Sequence, residues 1–199
     1  MIRILSPVMY RVRPWKNGAG TTTDLAAHPE GAGWDDFDWR ISIADIGVSG
    51  PFSPFPGIDR SILLLECPPE SAMTLTIDGV STALAPQVFI GFAGESQVEG
   101  TLQGKAVRDF NVMSRRGVVA HRCGCKAIAD KEWFRMGGAT TRFVYVVAGA
   151  ATLLSGSAPP RAVAAGESLL VSGDDALNLR SDPEGARLVW AEFSQGAAA

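Results

Sequence analysis

Phe37-Asp38-Trp39-Arg40-Ile41-Ser42-Ile43-Ala44 alternates between two kinds of side chain. In an extended strand successive residues point to opposite faces. Trp39, Ile41 and Ile43 therefore share one face, and Arg40, Ser42 and Ala44 share the other. The first face reads as core. The second sets a guanidinium beside a hydroxyl, and alternation alone leaves open whether that face meets water, as in a half-buried sheet, or lines an interior.

Runs of the same kind recur on both sides: Ser61 to Cys67, Ala72 to Ile77, Gln87 to Phe92, Ala106 to Met113, Thr141 to Val147, Ser168 to Val171 and Leu188 to Phe193. Asp109, Asn111 and Met113 share one strand face, opposite Phe110 and Val112. The 22 glycines and 12 prolines, with turn signals such as Asp78-Gly79, Gln103-Gly104 and Ser172-Gly173, cut the chain into short pieces. Many short strands with regular turns predict an all-β sandwich or barrel. The one helical pattern runs from Asp130 to Met136 and makes at most about two turns. A faint repeat sets Arg60-Ser61-Ile62-Leu63-Leu64-Leu65-Glu66 against Arg142-Phe143-Val144-Tyr145-Val146-Val147-Ala148, each followed by further strands and turns. It predicts two similar halves, residues 1–117 and 118–199, divided where Ser114-Arg115-Arg116-Gly117 closes a strand.

Composition narrows the function. The chain has 199 residues, 46% hydrophobic and 20% charged, with net charge -3. That describes a folded globular protein. Arg115-Arg116 is the densest basic spot and is too small to track a phosphate backbone, so nucleic acid is not an expected partner. No segment has the apolar length to cross a bilayer. Met1-Ile2-Arg3-Ile4-Leu5-Ser6-Pro7 lacks the apolar core of a secretion signal, and the expectation is a cytoplasmic protein. Three cysteines, two of them at 123 and 125, read as free thiols in a reducing compartment.

Three longer stretches carry a resemblance. They are Pro14-Trp15-Lys16-Asn17-Gly18-Ala19-Gly20-Thr21-Thr22; the Phe37 to Ala44 strand with Gly50-Pro51-Phe52-Ser53-Pro54-Phe55-Pro56-Gly57-Ile58-Asp59-Arg60; and Arg108-Asp109-Phe110-Asn111-Val112-Met113-Ser114-Arg115. Together they resemble the signature segments of the HutD/Ves family, in the same order, across roughly the first 115 residues; beyond these the likeness is a cupin-like pattern. Ala19 departs from the glycine usual there. The resemblance implies a bicupin of two cupin-like jelly-roll barrels. It also implies a link to histidine utilisation, with the protein limiting that pathway through a bound metabolite.

On that footing the second face of the Trp39 strand belongs to a barrel interior. The candidate ligand-binding residues are Lys16, Asn17, Arg40, Ser42, Arg60, Asp109 and Asn111. Each has a plainer reading beside it. Lys16 and Asn17 sit in a turn that Asn-Gly favours. Arg60 follows a proline-rich stretch, a stiff lid over an opening, and an exposed arginine there would pair with Asp59 or another carboxylate. Taken together, three cations with hydroxyl, amide and carboxyl groups suit a small amino-acid-like anion, because arginine forks hold both carboxylate oxygens. Formylglutamate and urocanate have that character. A homodimer is left open.

No cofactor and no metal are expected. The segment resembles that of metal-dependent cupins in Gly149 and Gly166, but Leu169 stands where a ligand histidine is expected, and the chain has two histidines. His121, Cys123 and Cys125 alternate on one strand face, which leaves a zinc reading without an evident fourth ligand. An enzyme with Asp109 as base and Lys16 or Arg40 as clamp is the alternative function. The chain carries no nucleophile elbow and no dinucleotide fingerprint.

Overall fold

The computed structural model describes residues 1–15, 20–138, 140–154 and 159–196. The fold is all-β; the helical element among the described residues is a single 3-10 turn at Pro7–Met9. In chain order the strands are β1 (Ile2–Leu5), β2 (Arg11–Pro14), β3 (Gly20–His28), β4 (Trp39–Ile46), β5 (Gly50–Pro51) and β6 (Ile58–Glu66). There follow β7 (Ala72–Ile77), β8 (Val80–Leu84), β9 (Ile90–Ala93), β10 (Val98–Gln103) and β11 (Val107–Arg115). The last are β12 (Val119–Ile128), β13 (Trp133–Met136), β14 (Thr141–Leu153), β15 (Arg161–Ala164), β16 (Ser168–Ser172) and β17 (Leu177–Gln195). Two compact units result, one built on Tyr10–Ala120 and one on Met1–Met9 with His121–Gln195.

In the unit built on Tyr10–Ala120, six strands form a sheet in the order β2-β3-β4-β11-β6-β9, and four form another in the order β5-β10-β7-β8. The register of the larger sheet is informative. Met113 lies between Arg40 and Arg60, Asn111 between Ser42 and Ile62, and Asp109 between Ala44 and Leu64. Directly opposed residues of a sheet share a face. Ile62, Leu64 and Ala44 on this face pack in one apolar cluster with Met73, Leu75, Leu84 and Val98 of the smaller sheet. The polar residues in these rows therefore look into the space between two sheets. The other face, with Trp39, Ile41, Ile43, Phe110 and Val112, is buried too. Each fully buried aliphatic side chain of this kind contributes about 1.5–3 kcal/mol. At the start of β3 a Cβ on Gly20 would lie 2.2 Å from the Asp45 carbonyl oxygen and 3.1 Å from the Trp15 ring, so only glycine fits.

The second unit has one sheet, in the order β1-β16-β14-β17-β12, with β13 also on β17 and β15 also on β14. Val144, Val146, Leu169, Val171, Leu177, Leu179 and Leu188 centre its core, with Ile2 and Ile4 packed against it. The sequence repeat puts Met1–Met9 in the first half, residues 1–117; the structure groups them with His121–Gln195. β1 runs antiparallel to β16 from Ile2 opposite Val171 to Leu5 opposite Ser168. Its apolar isoleucines find their core in this unit, and the pairing covers a strand edge.

The helix expected from Asp130 to Met136 does not form. Lys131 has φ 56 and Glu132 N–H donates to the Ala129 carbonyl oxygen at 2.8 Å, a tight turn. Trp133–Met136 then pairs with β17, Trp133 opposite Arg180 and Met136 opposite Leu177. Aromatic residues suit a pleated surface, and partners on β17 override the local helical tendency of Asp-Lys-Glu.

Candidate functional site

Arg40, Ser42, Arg60, Asp109 and Asn111 all lie on the inward face of the β4–β11–β6 sheet and are all buried, at 3%, 3%, 5%, 1% and 8% exposure. The water-facing reading of this face is thereby excluded. Lys16 and Asn17 lie outside the described residues, in the connection between β2 and β3.

Arg40 is engaged from two sides. Its Nε donates to Asp24 Oδ1 at 2.8 Å, and its Nη2 donates to the same oxygen. Asp24 Oδ2 lies 3.1 Å from Arg13 Nε. The Trp34 ring covers the Arg40 guanidinium at 4.1 Å and reaches that of Arg13 at 5.5 Å. Burial lowers the Arg40 pKa, Asp24 raises it in opposition and Arg13 lowers it further.

Arg60 has a different setting. Its guanidinium sits 5.0, 5.3 and 5.7 Å from the rings of Phe92, Phe55 and Phe52. Nη1 donates to the Ser53 carbonyl oxygen at 3.2 Å. The proline-rich stretch holds this place through the donors its phenylalanines supply: Phe52 N–H to Val98 O at 2.9 Å and Phe55 N–H to Gly94 O at 2.7 Å. It packs directly on Arg60. Asp59 is taken by Arg116 at 2.7 Å, so Arg60 does not pair with it. Burial pushes the Arg60 pKa down to about 10, against the attraction of Asp109.

Asp109 is the most perturbed acid in the unit. Burial raises its pKa from 3.8 to about 7; Arg60 and the Ala44 backbone pull it down, and Asp45 pushes it up. Among the described residues, Asp109 Oδ1, Asn111 Oδ1 and Arg60 Nε are buried and have no hydrogen-bond partner. Buried polar atoms are ordinarily paired, and these three unpaired ones share a single sheet face.

Asp24, Arg13 and Trp34 were absent from the sequence expectation. The alternation Thr22, Asp24 along β3 and Arg11, Arg13 along β2 is the signal that points to the first two; Trp34 gives none. The β12 alternative fares differently. Among the described residues no three or more His, Cys, Asp or Glu side chains stand where they could hold a metal ion. The His121 ring lies 6.4 Å from that of Phe193, and burial pushes the Cys125 thiol up to about 11, which disfavours the thiolate a metal needs. Among the described residues no helix is long and apolar enough to cross a membrane.

These features define an all-β, cupin-like protein with a buried, arginine-lined polar face. At the level of fold it is similar to a cupin 2 conserved barrel domain protein from Leptotrichia buccalis, with TM-score 0.62 and 8% identity over 96% of this chain and 95% of the other. The HutD family model matches residues 8–189, and the chain belongs to that family. It is 43% identical over 113 residues to a 21.2 kDa protein in the hutC 3' region of Pseudomonas putida, a match spanning 56% of this chain and 57% of that relative. It is 36% identical over 140 residues to protein Ves of Citrobacter koseri, covering 70% and 69% of the two chains. The structure of HutD from Pseudomonas fluorescens SBW25, in a formate condition, has TM-score 0.78 and 31% identity over 98% of this chain and 99% of that one.

Proposed function

We propose that this chain is a metal-free binding protein for a small carboxylate metabolite of histidine degradation, such as formylglutamate or urocanate, and that it modulates histidine utilisation. We read its two units as the two cupin-like barrels of a bicupin acting in the cytoplasm, with the ligand in the barrel built on Tyr10–Ala120. The observation that carries this reading is the Arg60 guanidinium, 5% exposed, with an unpartnered Nε on the same face as the unpartnered oxygens of Asp109 and Asn111. A carboxylate oxygen satisfies Arg60 Nε, and an amide or ring N–H satisfies an acceptor beside it. Arg40, held by Asp24, sets the positive field of the site and leaves the docking to Arg60.

Calorimetric titration of N-formylglutamate and urocanate into wild type and Arg60→Ala tests it. Binding that is weakened by about 1.5–3 kcal/mol in a folded variant is expected, the usual size of a hydrogen bond to a charged group. Equal affinity in the two proteins removes Arg60 from the site. A second reading, an enzyme using Asp109 as general base, draws on the pKa of about 7, which suits proton transfer near neutrality. Product formation in the same titration mixtures separates an enzyme from a binder.

A further inference from the structure

We propose that the site takes up its carboxylate ligand together with a proton, held between the ligand and the carboxyl group of Asp109. This rests on the carboxylate-binding reading above and adds what that binding demands. A carboxylate docked on Arg60 enters an interior that already contains Asp109, 1% exposed and with Oδ1 unpartnered. Two ionised carboxylates facing one available guanidinium in a low-dielectric space repel each other, and one of them then takes a proton. A protonated Asp109 donates its O–H to a ligand oxygen, a charge-assisted bond, while the ligand's other oxygen accepts from Arg60. Asn111 completes the set: half a turn of its amide presents Nδ2 as a donor to the same anion. The proton comes from solvent and forms the O–H bond of the Asp109 carboxyl group, no other covalent bond changes, and the buried charge balance at Arg60 is kept.

The surroundings leave few competitors for that proton. Arg60 on β6 lies on the same sheet face as Asp109 and acts on it electrostatically; Arg40 on β4 is occupied by Asp24 on β3, which also holds Arg13 on β2. Asp45, the residue after Ala44 on β4, adds repulsion. The packed residues from the smaller sheet are Met73, Leu75, Leu84 and Val98, and those from β9 are Ile90 and Phe92, none of which titrates. Cys67 packs on the same core and its thiol donates to the Ser71 carbonyl oxygen at 3.1 Å. The carboxyl of Asp109 releases its proton near pH 7 in the empty site, so uptake on binding is cheap under ordinary conditions.

The test is titration calorimetry of N-formylglutamate, which has no group of its own titrating between about pH 6 and pH 9, in buffers of contrasting ionisation heat. Above about pH 7, wild type should take up close to one proton per ligand and lose about tenfold in affinity per pH unit. Asp109→Asn should bind with little pH dependence and outbind wild type at the alkaline end. Affinity that is flat or rising with pH, or an Asp109→Asn variant that keeps the wild-type slope, overturns the proposal while leaving carboxylate binding intact. Absence of binding by N-formylglutamate, urocanate and formate at every pH overturns the carboxylate-binding reading itself, and this proposal with it. The carbon-13 carboxyl resonance of Asp109 in the free protein adds a check that needs no ligand: an ordinary aspartate titration there also overturns it.

Discussion

Arg40 directs its Nε and one terminal nitrogen to a single oxygen of Asp24, from β4 to the neighbouring β3, while the second oxygen of Asp24 faces Arg13. A chain of alternating charge thus runs along the inner edge of the sheet, roofed by Trp34. Such a buried pair is expensive to break from one side. Asp24→Ala leaves Arg40 without its carboxylate in a space where its side chain is 4% exposed, and a loss of about 3–5 kcal/mol is expected. The double variant Arg40→Met with Asp24→Leu removes both charges and should recover most of that loss. Urea midpoints at unchanged slope measure both. A single variant within about 0.5 kcal/mol of wild type would show that the pair carries no structural weight.

The pKa of Asp109 has a consequence for stability without any ligand. The folded state holds this proton up to about pH 7, whereas an unperturbed aspartate releases it at 3.8. Between those values the folded protein binds more protons than the unfolded chain, so this group's contribution is fully present below 3.8 and is lost as pH rises through about 7. Asp109→Asn, a neutral mimic of the acid, should match wild type near pH 4 and exceed it above pH 8 by up to about 4 kcal/mol, at about 1.36 kcal/mol per pKa unit. Denaturation curves across that range decide; a variant less stable than wild type at alkaline pH would mean that the ionised carboxylate is the favoured partner of Arg60.

How much of this was legible in the sequence follows from physical range. The period of two in Trp39 to Ala44 and Asp109 to Met113 is local, and it placed Arg40, Ser42, Asp109 and Asn111 on common faces without any structure. The partner of Arg40 was not legible. Asp24 lies sixteen residues earlier on a threonine-rich strand, whose register shifts between Asp24 and Ala26. Asp130 to Met136 misled for the opposite reason. Its charged start favours a helix locally, and only Lys131 in a left-handed turn and the distant β17 make Trp133–Met136 a strand. The placement of Met1–Met9 depends on β16, at the far end of the sequence, and leaves no local trace.

Trp34 is 40% exposed, yet its ring lies 4.1 Å from the Arg40 guanidinium and stacks on Phe55 with centroids 6.3 Å apart. Phe55 in turn covers Arg60. Trp34→Ala should therefore cost only about 0.5–2 kcal/mol of stability, the range of a cation–π contact between exposed and desolvated settings. Its ligand effect should be larger in rate than in affinity, because an aromatic cover that is gone no longer slows exchange of the bound anion. Stopped-flow displacement of N-formylglutamate from wild type and Trp34→Ala reads this directly. Identical release rates would make Trp34 a packing residue with no part in access.

The second unit contains a buried arginine of another kind. Arg142, the second residue of β14, stands in the position that the internal repeat aligns with Arg60, and it is fully buried. Its bonds go to backbone: Nη1 donates to the Met136 carbonyl oxygen at 3.3 Å, and Nη2 donates to the Gly173 carbonyl oxygen. Those carbonyls close β13 and the turn after β16, so the guanidinium acts as a clasp between two chain ends of one sheet. Arg142→Met keeps much of the packing volume and removes both donors, leaving two carbonyl oxygens unpaired. At about 1–3 kcal/mol for each buried group left unsatisfied, a loss of roughly 2–6 kcal/mol is expected. The loss should be local first. Amides of Trp133–Met136 should exchange with solvent faster in the variant than those of Val144 and Val146, whose burial in the core does not depend on the clasp. Hydrogen exchange resolved by residue measures the difference, and uniform acceleration across the unit would mean that Arg142 supports the whole core instead of the β13 edge.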